Sequence, residues 1–131
     1  MKFARIAFCI ALFMMIGCKS TFNTAPVLEL RDQSVSKTVP LKDMERCIKE
    51  AGIRLGWKMD TVSPSVIEGT LNLRQHTAVV TIPFTQTNYS ILYKDSDNLY
   101  AENGQIHKSY NRWVKNLEKE IGIELSRLAI R

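Results

Sequence analysis

Residues 67–84, IEGTLNLRQHTAVVTIPF, give the first indication of the architecture, because apolar and polar side chains alternate through them. The residues on the apolar side are Ile67, Gly69, Leu71 and Leu73, followed by Ala78, Val80, Ile82 and Phe84. Such alternation is typical of strands with one buried face. The joint at Gln75-His76 is short enough for a hairpin turn, although it lacks the glycine that two-residue turns favour. We therefore predict two antiparallel strands that are neighbours in a sheet.

One further strand is predicted on each side of this hairpin. Residues 57–60 alternate upstream, and residues 89–94 alternate downstream. Short connections favour antiparallel neighbours, so the prediction is a four-stranded antiparallel meander with one apolar face. Pro83 falls in a strand that would be central in this order, and proline has no N–H to donate to a neighbouring strand. It is therefore predicted either to end the pairing on one side or to mark a bulge.

Helical periodicity flanks the strands. Apolar residues recur three or four positions apart in residues 40–56 and again in residues 108–128. Pro40 suits the first helical position, and Gly52 or Gly56 can end the first helix. Two helices and a sheet each have one apolar face to bury. We therefore predict an α+β two-layer sandwich in the order helix-β-β-β-β-helix, with both helices packed on one face of the sheet.

The amino-terminal segment has the pattern of a secretory signal. Lys2 and Arg5 precede residues 6–17, an uncharged run that is too short to span a bilayer of roughly 30 Å. The run ends Met15-Ile16-Gly17-Cys18, which resembles the lipobox of bacterial lipoproteins, whose cysteine is acylated and becomes the mature amino terminus. Cys18 is therefore the predicted lipidation site, and several acyl chains anchor a protein far more firmly than one. The alternatives are an ordinary signal cleaved nearby and an uncleaved hydrophobic anchor.

The rest of the chain divides into a tether and one domain. Residues 18–38, the lipidated cysteine and a flexible tether, are rich in Ser, Thr and Asn without a sustained period, and residues 39–131 form a single α+β domain. The tether residues able to dock as a short strand are Val27, Leu28 and Leu30. By resemblance to lipoprotein sorting in Gram-negative bacteria, Lys19 in place of a retaining Asp implies the outer membrane, facing the periplasm.

Composition narrows the class of protein. The chain is 45% hydrophobic and 24% charged, which is typical of a globular domain. Its 18 Lys and Arg exceed its 13 Asp and Glu by five, and loss of Lys2 and Arg5 with the signal leaves 16 minus 13, or +3. This small excess does not indicate nucleic-acid binding. Cys9 leaves with the signal and Cys18 is acylated, so Cys47 is the thiol that remains, and its helical position predicts burial.

The sequence lacks the common catalytic and metal-binding motifs. It contains no HExxH, GxSxG, P-loop, GxGxxG or CxxC pattern. We therefore predict no cofactor, no metal and no catalytic residue.

Several short segments are distinctive as a set. They are GTLNLR (69–74), HTA (76–78), YSI (89–91), YKDS (93–96), NL (98–99), IHK (106–108), YN (110–111) and WV (113–114). Together they resemble a family of small proteobacterial lipoproteins, and the resemblance covers roughly residues 41–121 together with the signal. It implies a cell-envelope location and an architecture. It implies no reaction and no catalytic residue.

Polar residues that leave the last predicted strand and enter the last predicted helix form a candidate binding site. They are expected at one end of the sandwich, where an imidazole, a phenol and charges of both signs would line a small cleft. The candidate residues are Arg74, His76, Lys94, Asp95, Asn98, His107, Tyr110 and Asn111. The alternative is structural: the strand-end residues make turn hydrogen bonds, His107 or Ser109 caps the helix, and Tyr110 lies in the core.

The sequence is consistent with three functions. The leading hypothesis is a lipid-anchored, non-catalytic accessory that binds another envelope component. The second is a small-ligand or anionic-glycan binding module at the polar cleft near His107. The third is an enzyme, which requires His107 close to a carboxylate such as Asp95 in a deep pocket. The predicted partners are therefore a membrane, through the acyl chains, and an envelope protein or glycan, but no nucleic acid.

Overall fold

The computed structural model describes residues 23–130, and these form an α+β fold. The helices are α1 (Leu41–Arg54) and α2 (Lys108–Ile130). The strands are β1 (Thr24–Pro26), β2 (Leu30–Ser34), β3 (Lys58–Ser63), β4 (Val66–Leu73), β5 (His76–Pro83), β6 (Asn88–Asp97) and β7 (Gln105–His107). The predicted signal and Cys18 lie outside the described residues.

Strands β4 and β5 are the predicted hairpin. They pair antiparallel without a register shift from Val66 opposite Pro83 to Leu73 opposite His76. The turn consists of Arg74 and Gln75, and Arg74 has a φ of 57°. Arg74 thus takes the left-handed conformation that glycine ordinarily supplies in such turns. The buried residues alternate along both strands as predicted, and they are Ile67, Gly69, Leu71, Ala78, Val80 and Ile82. Leu73, predicted on the same side, is instead 44% exposed, because it adjoins the turn at the end of β4.

The main sheet of the described chain has five antiparallel strands where the sequence predicted four. Its order is β2-β6-β5-β4-β3, and β3 to β6 are the predicted meander. The additional strand, β2, pairs with β6 and lies in the stretch that the sequence assigned to the flexible tether. Its register shifts between Leu30 and Gln33, and Asp32 has a φ of 50°, so no two-residue period marks it. This part of the predicted tether belongs to the folded domain.

Pro83 is the last residue of β5 and lies opposite Val66 of β4. On the other side, the ladder of β5 with β6 runs from Thr77 to Thr81, and one further antiparallel bridge joins Phe84 to Tyr89. Pro83 therefore lies in a gap of this ladder, where its missing N–H is not needed. Pairing with β6 is interrupted at Pro83 but does not end there, and the bulge of β5 against β6 lies at Val79 and Val80 instead.

Strands β1 and β7 form a separate two-stranded sheet. Thr24 lies opposite His107, and Pro26 lies opposite Gln105. Each strand has three residues, which is too short for a period of two to be recognised in the sequence. The pairing matters because it places the beginning of the described chain against the residues that lead directly into α2.

Both helices bury one side in the core that covers the inner face of the sheet. Helix α1 begins after Pro40, and Gly56, with a φ of 88°, follows its C-cap residue Leu55. Both helices and the alternating inner positions of the strands contribute residues to one continuous core. The core residues of α2 are Tyr110, Val114, Leu117 and Ile121. The helices and the sheet are therefore the two layers of the fold.

A buried carboxylate joins the two helices. Glu124 of α2 is only 5% exposed, and its Oε1 lies 3.0 Å from Arg54 Nε of α1 and 2.7 Å from Arg127 Nη1. Both arginines are about half exposed, so Glu124 has its charge compensated at the edge of the core. Cys47 of α1 is buried as predicted, and burial raises the pKa of its thiol.

Candidate functional site

His76 and Asn98, two of the predicted site residues, are in contact at one end of the main sheet. The His76 Nδ1–H donates to the backbone carbonyl oxygen of Asn98 at 2.7 Å, because a carbonyl can only accept. Asn98 Nδ2 in turn donates to the carbonyl oxygen of Gln75 at 3.3 Å. Asn98 has a φ of 57°, which asparagine tolerates better than most residues. The β4–β5 turn and the end of β6 therefore lie together.

The same end of the sheet meets the beginning of α2. The ring centroid of His76 lies 6.4 Å from that of Trp113, with the two planes tilted by 49°. Arg74, in the adjoining turn, is exposed. The β4–β5 turn thus lies near the first turns of α2.

His107 caps α2, as the structural alternative predicted. The Nδ1 of its imidazole accepts a hydrogen bond of 3.1 Å from the backbone N–H of Ser109. The backbone N–H of His107 donates to the carbonyl oxygen of Leu99 at 2.8 Å. The ring centroid lies 6.3 Å from that of Tyr100, a residue that is 70% exposed and has a φ of 55°. An aromatic side chain in this backbone conformation is unusual, and here it stands in solvent beside β7.

Lys94 and Asp95 do not join His107, and this corrects the predicted cleft. Val79 lies opposite Asp95 while Val80 lies opposite Tyr93, so Lys94 is the extra residue of a bulge. The Lys94 ammonium group pairs with the Glu68 carboxylate of β4, across the outer face of the sheet. The Asp95 carboxylate accepts the backbone N–H of Ser96 at 2.8 Å. The enzyme hypothesis requires His107 close to Asp95. Each of them instead makes a hydrogen bond to a nearby backbone N–H, His107 to that of Ser109 and Asp95 to that of Ser96.

Tyr110 and Asn111 have structural positions. Tyr110 is wholly buried, its ring meets that of Tyr93 edge-on at 5.5 Å between centroids, and burial raises the pKa of its hydroxyl. Among the described residues that hydroxyl has no hydrogen-bond partner. Asn111 binds the segment after β1: its Nδ2 donates to the carbonyl oxygen of Pro26, and its Oδ1 accepts the N–H of Leu28, both at 2.9 Å. The eight predicted residues are thus spread over several places instead of lining one cleft.

The outer face of α2 carries a row of cations that sequence reasoning missed. Its members are separated by four, three and four positions, so they follow one another along one side of the helix. All are exposed, and none forms an ion pair with a carboxylate of residues 23–130. We call this row the cationic stripe, and it consists of Lys108, Arg112, Lys115 and Lys119. The same helical period that revealed the apolar side of α2 could have revealed the stripe.

The cationic stripe works against the stability of its own helix. The first turn of α2 contains no acidic residue, although negative charge is favoured at the positive end of the helix dipole. Lys108 and Arg112 are like charges four residues apart, as are Lys115 and Lys119, and each such pair destabilises a helix by about 0.2–0.5 kcal/mol. Arg112 also donates to the Ser109 hydroxyl at 3.1 Å, which leaves its charge uncompensated.

A groove lies at the other end of α2, between that helix and the connection from β2 to α1. Its volume is about 340 Å³. Gly122, in the middle of α2, faces open space, because a Cβ built there would meet nothing within 4 Å. We call it the Gly122 groove; its lining includes Val35, Lys37, Pro40, Asp43, Tyr89, Gly122, Leu125, Ser126 and Leu128. Gly122 lies 14 residues after Lys108, which is about 20 Å along the helix.

Other kinds of site receive no support in the described chain. Within residues 23–130, no group of three or more His, Cys, Asp or Glu side chains is placed to hold a metal ion. In the same residues, neither helix combines the length and apolar character needed to cross a membrane. Comparison of the chain with family models, curated proteins and solved structures finds no match.

Proposed function

We propose that this chain is a lipid-anchored envelope protein, held by Cys18 in the outer membrane and facing the periplasm, whose domain is a non-catalytic binding accessory. The signal pattern, the lipobox-like end of the run and Lys19 support this location. The observation that carries the proposal is the position of β1, because β1 ties the anchored end of the chain to the domain.

The segment that connects the proposed anchor to the domain is short. Thr24 is six residues after Cys18, and an extended chain of that length reaches about 20 Å at most. Thr24 is already paired with His107, and the Asn111 side chain binds the carbonyl oxygen of Pro26 and the N–H of Leu28. A domain held in this way stays close to the lipid, so its partners are those that reach the membrane surface.

The Gly122 groove is the surface on which we place the binding function. Its apolar residues, Leu125 and Leu128 among them, offer a place for an aliphatic side chain, and Lys37 and Asp43 balance each other in charge. Such a lining suits an uncharged peptide segment of another envelope protein better than a polyanion. Glycine within a helix costs about 1 kcal/mol relative to alanine. Because no described residue of the chain packs against Gly122, the space above it is available to a partner.

Anchoring is tested by separating the membranes of cells that make the wild-type chain or Cys18→Ala. The proposal expects the wild type in the outer-membrane fraction and the variant outside it. Equal amounts of the two proteins in that fraction would contradict lipid anchoring at Cys18.

Binding is tested by placing a photoreactive side chain at Ser126, which lines the groove, with Ser65 in the β3–β4 turn as the control position. The proposal expects an adduct from Ser126 whose mass spectrum identifies an apolar peptide segment of an envelope protein. The second variant, Gly122→Leu, fills the groove and should remove that adduct. An adduct that is unchanged by Gly122→Leu, or equal at Ser65, would rule out the groove as the binding surface.

A further inference from the structure

The cationic stripe and the point where the anchored segment enters the fold are adjacent. Ala25 of β1 lines a shallow depression together with Lys108, Arg112 and Lys115. The residue next to Ala25, Thr24, is paired with His107, which directly precedes α2. The chain therefore reaches the domain beside the stripe, at the amino-terminal end of α2.

This placement limits how far the stripe can be from the lipid. If Cys18 is acylated, Thr24 lies within about 20 Å of the bilayer, because six residues can extend no further. Fixed charges at a membrane surface act over a Debye length of about 8 Å at physiological ionic strength. A domain on so short a connection repeatedly enters that range, and the anchor makes docking an intramolecular event.

The charges of the stripe match one kind of surface. Phospholipid headgroups present phosphates in a plane, and basic side chains near an anionic leaflet are attracted to it. Lys119, the last member of the stripe, lies 11 positions after Lys108, which is about 16 Å along the helix, and each member is exposed. Tyr100, 70% exposed beside His107, adds an aromatic side chain at the same end, and tyrosine is favoured at membrane interfaces.

We propose that the cationic stripe docks on anionic phospholipid headgroups of the bilayer that holds Cys18, so that the outer face of the first three turns of α2 rests on the membrane. The inference depends on the proposed anchoring. It accounts for cations that lower the stability of their own helix, since the bilayer supplies the negative charge that the described chain does not.

The test uses the mature, acylated protein reconstituted in vesicles, with an environment-sensitive fluorophore at Asn116→Cys. Asn116 is exposed and lines the depression beside the stripe, and Cys47 is buried and protected from the label. Ser65→Cys provides a control label in the β3–β4 turn. The vesicles are pure phosphatidylcholine, or phosphatidylcholine with about 30 mol% phosphatidylglycerol to supply negative charge.

The proposal expects the label at position 116 to become brighter and blue-shifted only on the anionic vesicles, and the label at position 65 to stay unchanged. The triple variant Lys108→Gln, Arg112→Gln, Lys115→Gln should lower the docked-to-undocked ratio roughly 100-fold, at about five-fold per cation. The matched variant Lys42→Gln, Arg46→Gln, Lys49→Gln removes the same charge from α1 and should leave the signal intact.

Flotation of the vesicles separates failure of docking from failure of anchoring. Protein that floats with both kinds of vesicle but shows the same emission on both overturns the docking proposal alone. Protein that floats with neither overturns the anchoring and the docking together. A response of equal size when dextran sulfate is added to neutral vesicles would identify an anionic-glycan site and overturn the assignment to lipid.

Discussion

Asn111 Oδ1 accepts a hydrogen bond of 2.9 Å from the backbone N–H of Leu28, a residue 83 positions earlier in the chain. The same side chain donates from Nδ2 to the carbonyl oxygen of Pro26, so one amide binds both the last residue of β1 and the segment that leads to β2. The asparagine thus takes the place of a neighbouring strand. Through this contact the amino-terminal part of the domain is held against α2.

We predict that Asn111→Ala lowers the free energy of unfolding by about 2 kcal/mol, because two backbone groups lose their partners. Urea denaturation measures this change. Hydrogen exchange at the Leu28 amide should accelerate more than exchange in β4 and β5. The control is Asn116→Ala, an exposed position on the same helix, which should change stability by about 0.5 kcal/mol or less. Similar losses in the two variants would mean that Asn111 does not hold this segment.

The two arginines around Glu124 should act together. Removing Arg54 or Arg127 alone leaves the buried carboxylate one partner, and we expect each alanine variant to lose about 1 kcal/mol. Removing both arginines leaves the buried Glu124 carboxylate without a cationic partner. The double variant should therefore lose more than the sum of the two single losses, about 3 kcal/mol or above. Arg31→Ala breaks an exposed pair and should have little effect. Strict additivity in this double-mutant cycle would show that the two arginines do not share the compensation of the Glu124 charge.

Two glycines with open space around them should respond in opposite ways to alanine. Gly122 is in a helix, so Gly122→Ala should raise the free energy of unfolding by about 1 kcal/mol. Gly104 has a φ of 75°, so Gly104→Ala should destabilise by about 1 kcal/mol although nothing lies within 4 Å of its Cβ position. Thermal unfolding of both variants checks the signs. A loss of stability in Gly122→Ala would mean that something in the protein already fills the groove.

Alkaline pH should destabilise the domain through Tyr89. Burial raises the pKa of Tyr89 to about 12 from its ordinary value of 10.0, and the Glu118 carboxylate adds to the effect. The unfolded chain releases this proton first. The stabilising contribution is therefore complete below pH 10, and it falls by about 1.4 kcal/mol per pH unit between pH 10 and pH 12. Urea denaturation at several pH values should show a smaller slope for Tyr89→Phe than for wild type. Equal slopes would show that Tyr89 ionises as readily in the folded domain as in the unfolded chain.

Much of the fold could be predicted from the sequence, because regular elements bury one side and so leave a period in the residue pattern. The hairpin of β4 and β5 and both helices have such periods. Strand β2 has a shifted register, and β1 and β7 have three residues each, so none of these three strands produces a recognisable period in the sequence. Their positions depend on tertiary contacts such as that of Asn111, which no local pattern contains.

The candidate site was harder to predict than the fold. Because Lys94 and Asp95 leave the last predicted strand and His107 enters the last predicted helix, these residues were expected to converge at one end of the sandwich. The bulge at Lys94 instead places its side chain on the outer face of the sheet, where it pairs with Glu68. Tyr110 has the same helical spacing as the rest of the core, which favours its structural role over a role in binding. The members of the cationic stripe share one helical face as well, but the period of apolar residues, which predicts burial, does not reveal a row of exposed cations.

The proposed location of the protein and the proximity of the cationic stripe to lipid both depend on the acylation of Cys18. This acylation can be measured by intact-mass spectrometry of the protein purified from its native membranes, with fragmentation of the amino-terminal peptide. We expect a chain that begins at Cys18 and carries a diacylglyceryl group on the sulfur and a further acyl chain on the amino group. A chain with an unmodified Cys18 thiol, or one that begins at another residue, would contradict it.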